Sequence, residues 1–333
     1  MSIKNIFIYL FILIVSVSKT RAQDPQFSQY YANPLYLNPA FAGNVYLGRI
    51  SLNYRKQWPS IPGAFTSYNF GIDHHFRNAK SGVGLLVLSD KAGSGGLSYT
   101  KVSGLYSYYL NVGRKKVLRF GLSAALAQRA IDFSKLTFGD QIITGNSTSI
   151  SASNIQSLTY IDFNTGVLYY TPMFWFGASF NHLNKPNDSF YGRLIQIPIK
   201  VDIHTGLKIP LNKNIKGKYN TSMFVTTRYR FQQEWDQLDL GFYLQYKTIL
   251  AGIWYRGLPI KQYAPGRPNN DALIFMLGWE WEYIHFGYSY DLTISALAAN
   301  TGGSHEISII TEYPFKKNKK KRKRDFYMPC PKF

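Results

Sequence analysis

Cysteine is almost absent. The 333-residue chain has one thiol, Cys330, in Pro329-Cys330-Pro331, so no internal disulfide holds it together and any bridge runs to another chain. Acid is scarce: 18 Asp and Glu stand against 38 Lys and Arg, for a formal charge of +20, and charged residues total only 17%, below the usual quarter. After the first two dozen residues no apolar run reaches about 18 residues, which excludes a transmembrane helix. The signatures of common chemistries are missing too: no Gly-x-Ser-x-Gly elbow, no phosphate-binding Gly-rich loop and no His-Glu-x-x-His. His74 and His75 are adjacent, but strand neighbours point to opposite faces and cannot chelate one metal. No cofactor, metal or catalytic centre is expected, and the chain reads as a non-enzyme.

What is present is aromatic and alternating. Aromatics make up 17% of the chain, with 26 Tyr and 23 Phe, and Tyr and Trp favour a membrane–water boundary. Ile284–Ile294 puts Ile, Phe, Tyr, Tyr, Leu and Ile on one face, and His, Gly, Ser, Asp and Thr on the other. This period of two recurs along the chain and implies an all-β fold, a single antiparallel transmembrane β-barrel with lipid outside and water inside. Residues 1–22 read as a secretory leader: Lys4, an apolar run Ile6–Val17, and Ala22 at a cleavage site. An exported chain with membrane-type surface and no spanning helix crosses a bilayer as a closed barrel.

Fourteen strands are expected: Val45–Gln57, Phe65–Arg77, Lys80–Ser89, Leu97–Leu110, Lys116–Ala130, Thr159–Tyr170, Phe174–Leu183, Ile199–Ile209, Asn220–Phe231, Trp235–Tyr246, Thr248–Arg256, Ala272–Glu282, Ile284–Ile294 and Ser304–Tyr313. Between them, short inner turns (near Asn78, Asn111–Lys115, Pro172, Pro210–Lys218, Lys247 and Tyr283) alternate with outer loops. The longer outer loops are Ile131–Leu158, Asn184–Pro198 and Gly257–Asp271. That alternation is the habit of bacterial barrels. The barrel is placed at 45–315. Its polar strand faces carry Arg49, Arg55, Asp73, Asp202, His204, Arg228, Arg230, Glu280 and Asp291. Two readings stay open for these: a lumen of mutually paired charges, or the selective rings of a conducting pore.

Residues 23–44 have neither period. Asn33-Pro34 and Asn38-Pro39 make this segment irregular and rigid, fit either to plug the lumen or to lie across its periplasmic mouth. Residues 316–333 form a basic tail, with Lys316, Lys317, Lys319, Lys320, Lys321, Arg322, Lys323 and Arg324 clustered. Behind an export signal such a run does not point to nucleic acid. A solvated tail, an acidic periplasmic partner and anionic lipid headgroups are the readings it admits, and strand parity puts it in the periplasm.

Asp24-Pro25-Gln26-Phe27-Ser28-Gln29-Tyr30-Tyr31, then Asn33-Pro34-Leu35-Tyr36-Leu37-Asn38-Pro39-Ala40 and Ala42-Gly43, closely resembles the opening of the PorP/SprF family. Tyr54–Pro59 and Gly302–Ser308 are also similar to it. On this resemblance Phe27, Tyr30, Tyr31, Asn33, Pro34, Asn38, Pro39 and Gly43 are family-motif positions. The resemblance implies an outer-membrane barrel of the Bacteroidota type IX secretion system. Its implied partners are outer-membrane lipid, periplasmic components of the machine, and secreted cargo such as gliding adhesins with a C-terminal sorting domain. The long outer loops, Ile131–Leu158 and Gly257–Asp271 above all, would meet the cargo, and the N-terminal segment and tail would face the periplasm. The competing expectation is a FadL-like or porin-like diffusion channel, because fourteen strands enclose a lumen wide enough for a small solute unless something fills it.

Overall fold

The computed structural model describes residues 24–313 apart from 46–47, 94, 148, 151–156, 192–193, 214–218, 265–266 and 296–300. The expected leader and the basic tail fall outside the described residues. Fourteen antiparallel strands close on themselves in sequence order. They are β1 Gly48–Gln57, β2 Phe65–Phe76, β3 Ser81–Ala92, β4 Leu97–Gly113, β5 Lys116–Ala130, β6 Ser157–Tyr170 and β7 Phe174–Asn181, followed by β8 Lys200–Lys213, β9 Tyr219–Gln232, β10 Trp235–Tyr246, β11 Ile249–Ala264, β12 Arg267–Trp281, β13 Ile284–Thr293 and β14 Ser304–Tyr313. The seam pairs β1 with β14 from Gly48↔Tyr313 to Gln57↔Ser304. Closure matters because an open edge in hydrocarbon strands backbone polar groups without partners.

The alternation is that of a sheet with lipid outside. On β13 Phe286, Tyr288 and Leu292 are exposed outward, while His285, Ser289 and Asp291 are buried inward. On β5 Phe120, Leu122 and Leu126 face out, and Arg119, Ser123 and Arg129 face in. Trp279, Trp281, Tyr246 and Phe76 are exposed near the end with the short turns, and Tyr68 and Trp235 near the other, as interfacial aromatics are. Short turns mark the periplasmic end. Lys80, Lys115, Lys247 and Glu282 sit there at positive φ, from 49° to 64°, in tight hairpin turns.

Several strand ends differ from expectation. Gly257–Asp271 is mostly hairpin rather than loop, with β11 running to Ala264 and β12 starting at Arg267. Pro259 and Pro268 are absorbed by register shifts after Arg256, Leu258 and Gln262, since Pro is tolerated at bulges. β8 likewise continues past Pro210 through a shift before Asn212. β7 stops at Asn181 because His182 takes φ 60°. β12 stops at Trp281, so Glu282 belongs to the turn and not to the face of Glu280.

Candidate functional site

The lumen is occupied by the chain's own residues 24–44. Short turns shape the segment: a 3-10 turn at Tyr30–Ala32, a helical turn α1 at Pro34–Leu37, and a 3-10 turn at Pro39–Phe41. Pro34 and Pro39 stand where a turn begins and an N–H is dispensable. Asn38 caps the last turn by accepting the Ala40 N–H at 2.9 Å. The segment runs from Asp24 at the outer mouth to Gly43 beside the inner ends of β2 and β3. It therefore plugs the barrel, and its placement as a periplasmic docking face is corrected. Phe27, Tyr30, Tyr31, Asn33, Pro34, Asn38, Pro39 and Gly43 are all buried.

Near the outer end a charged network grips the segment. The Ser28 and Gln29 N–H groups donate to the two oxygens of Glu306 at 2.7 and 3.1 Å. The Ser28 hydroxyl donates to Asp291 at 2.6 Å and accepts from Arg55 and Arg256 at 2.8 and 2.9 Å. Arg55 also pairs with Asp291 and Glu306, and Arg256 with Asp239 and Asp291. Gln29 donates to the Glu306 carbonyl at 2.9 Å and accepts from Ser308 at 2.6 Å. These buried charges pair with one another, the condition under which burial is tolerated, while Arg55 Nε and Asp291 Oδ1 have no hydrogen-bond partner among the described residues.

The middle is aromatic. Tyr30 packs edge-on against Trp254, and Tyr31 against Trp175, whose indole N–H donates to the Tyr31 hydroxyl at 2.7 Å. His204 stacks on Phe41 with centroids 5.6 Å apart. Arg228 lies over the Tyr30 ring and pairs with Asp202. Asn38 donates to the Val167 and Ala178 carbonyls at 3.0 and 3.1 Å, and Ser179 donates to the Leu37 carbonyl at 2.9 Å.

Near the inner end the backbone itself is held. Arg119 donates to the Ala40 and Ala42 carbonyls at 3.0 and 2.5 Å, and Ser107 donates to Ala42 at 2.6 Å. Asp73 accepts the Gly43 N–H at 2.8 Å and pairs with Arg49. Two wall glycines make room. A Cβ on Gly121 would lie 2.2 Å from the Ala40 nitrogen, and one on Gly82 would lie 2.2 Å from the Ala42 oxygen. A cavity of about 20 Å³ remains beside Asp24, Tyr36, Tyr99, Lys101 and Lys200, room for a single water.

At the outer mouth Asp24 binds Lys200 and, at 3.0 Å, His182, which bonds Asp162 at 3.0 Å through its other ring nitrogen. Lys101 pairs with Asp162. Burial alone would raise the Asp24 carboxyl, but Lys200 and His182 hold it well below the usual carboxylate range. Burial likewise opposes charge on His182, and the two carboxylates win, raising its pKa above the ordinary value.

Of the expected lumen residues, Arg49, Arg55, Asp73, Asp202, His204, Arg228 and Asp291 are buried around the segment, and Arg230 is half-buried and donates to Gln237 at 2.6 Å. Glu280 stands apart, beside Gln245 and away from the segment. Glu306 and Arg119 are among the anchors not singled out from sequence. Alternation in β14 and β5 puts both on polar faces, and that was the available signal. Among the described residues no cluster of His, Cys, Asp and Glu could hold a metal.

A family model described as "Type IX secretion system membrane protein PorP/SprF" matches residues 19–311. No curated protein matches the chain. Among solved structures, Acinetobacter baumannii outer membrane protein Omp33 is similar over 81% of this chain and 100% of its own, with 11% identity and a TM-score of 0.45. The P. putida toluene transporter TodX is similar over 83% and 92%, with 11% identity and a TM-score of 0.46.

Proposed function

The chain belongs to the PorP/SprF family of type IX secretion system membrane proteins and lies in the outer membrane; from this we propose that it is a non-enzymatic part of the machinery, holding or helping to export a secreted adhesin-type cargo at the cell surface. The cargo is recognised through its C-terminal sorting domain, and the outer loops are its docking face. The single observation that carries this reading is the filled lumen. A barrel stoppered by residues 24–44 has little room for a solute path, so its useful surfaces are its ends. On the outer side Ile142, Ile143, Ile150, Tyr191 and Leu194 are exposed in the loops, and Ile260 on the outer part of β11. Apolar groups presented to water suit a protein partner. The basic run Lys316–Arg324 supplies a periplasmic contact to other components of the machine.

The test is an affinity pull-down of the full chain from detergent-solubilised membranes. It is compared with one variant lacking the outer loop 132–150 and another lacking 316–333. The first deletion should release a secreted protein bearing a sorting domain, and the second a periplasmic component. Recovery of the same cargo with both variants would contradict the placement.

A further inference from the structure

The barrel wall is uneven in height. β6 begins at Ser157, but its ladder with β7 covers only Thr165–Tyr170 against Trp175–Phe180. The outer half of β6 thus pairs with β5 on one side and presents an edge on the other. Closure of that edge follows the lipid boundary. On the outward face Leu126, Ile161 and Phe163 are apolar and exposed; the next rows out are Gln128 with Thr159 and Ala130 with Ser157. At the apolar rows three of the four edge-facing backbone groups are covered. The Leu183 N–H donates to the Phe163 carbonyl at 3.0 Å. The Phe163 N–H donates to Asn184 Oδ1 at 3.1 Å, and Asn184 Nδ2 donates to the Ile161 carbonyl at 2.7 Å. Hydrocarbon requires such capping.

Beyond those rows the capping ends. Alternation along the strand points the N–H and C=O of Thr159 and Ser157 the same way as those of Phe163, and among the described residues nothing meets them. Ser157-Leu158-Thr159-Tyr160-Ile161 has neither charge nor proline, the devices that ordinarily blunt an edge. The loops on either side of this edge carry Ile143, Ile150 and Leu194, exposed by 86%, 97% and 76%, so a protein that reached the edge would also find apolar purchase around it.

We propose that the extracellular partner docks here by adding a strand to β6 along Ser157–Ile161. The partner is an exported protein presenting an extended segment with alternating apolar side chains. This rests on the cargo-holding reading and says how the cargo is held. Backbone hydrogen bonds to Thr159 and Ser157 supply the grip, and the half-buried Leu158 and Tyr160 select the side chains laid beside them.

The test uses the full chain in lipid nanodiscs and, as probe, the purified C-terminal sorting domain of a protein secreted by the same bacterium. Adding the domain should slow amide hydrogen exchange in 157–161. Thr159→Pro removes an N–H that faces the open edge and spares the β5 ladder, which is bonded through Leu158 and Tyr160. Compared with Thr159→Ala, which loses the side chain but keeps the N–H, it should bind about tenfold more weakly, the loss of one hydrogen bond. If the domain binds but exchange in 157–161 and the affinity of Thr159→Pro are unchanged, the edge is not the site and the cargo reading survives. If the domain does not bind the wild type, the cargo reading fails and takes this proposal with it. Protection of 157–161 that grows with protein concentration and needs no domain means the edge pairs with a second copy, which overturns the proposal. Should Thr159→Pro not fold, the exchange result on the wild type decides.

Discussion

Gly121→Ala is the sharpest perturbation of the plug. The added Cβ would lie 2.2 Å from the Ala40 nitrogen and 2.3 Å from the Pro39 carbonyl carbon, where ordinary contact begins at 3.4 Å. Both are backbone atoms, so the segment must withdraw by about 1 Å or more. It is poorly placed to do so, because Arg119 and Ser107 hold the Ala40 and Ala42 carbonyls. Overpacking with small adjustments costs about 1–3 kcal/mol. Losing these hydrogen bonds, two of them from a guanidinium, costs on the order of 5 kcal/mol, comparable with the whole stability of many domains. The inner half of the segment should therefore leave its seat. In planar bilayers the variant should show openings that the wild type lacks, and its heat-modifiable band should convert at a lower temperature. Gly104→Ala is the control, since nothing lies within 4 Å of its added Cβ. If Gly121→Ala is as silent and as heat-stable as the wild type, the segment does not pack as described.

Arg55→Ala leaves Glu306 without its guanidinium and Asp291 with Arg256 alone. A buried pair broken this way costs about 3–5 kcal/mol, which should appear as a lower melting temperature and faster exchange in residues 24–30. Trp175→Phe removes the 2.7 Å bond to Tyr31 and should cost about 1 kcal/mol by thermal melting, with the barrel intact. His182, with its raised pKa, stabilises the outer latch fully below its unfolded value near 6.5 and loses that contribution as pH rises through its native value. Asp24 is held low, so it stays ionised through this window and releases only in strong acid. Hydrogen exchange in 24–30, corrected for intrinsic rates, should therefore quicken as pH rises. His182→Gln should flatten that dependence; identical profiles for the two proteins would refute the latch.

Much of the wall was legible because period two is a local property. Ile284–Ile294 declared its lipid face without any knowledge of its neighbours, and Trp235–Tyr246 and Ser304–Tyr313 came out with their observed ends. Prolines misled at Gly257–Asp271 and at Pro210, because bulges let a ladder tolerate residues that a regular strand excludes. The plug was harder to read. Asn33-Pro34 and Asn38-Pro39 told of rigidity but not of location, since whether Ser28 meets Glu306 is settled by residues 278 apart in the chain. Arg55 and Asp291 were recognisable as lumen groups from alternation. That they converge on one serine hydroxyl depends on register around the cylinder, which no single strand encodes.

The central claim is a barrel stoppered by its own N-terminal segment, working through its ends and not through its bore. Single-channel recording of the intact chain in planar bilayers tests it most directly. Silence at ordinary voltages is the predicted result, and large, steady openings in the wild type would contradict it.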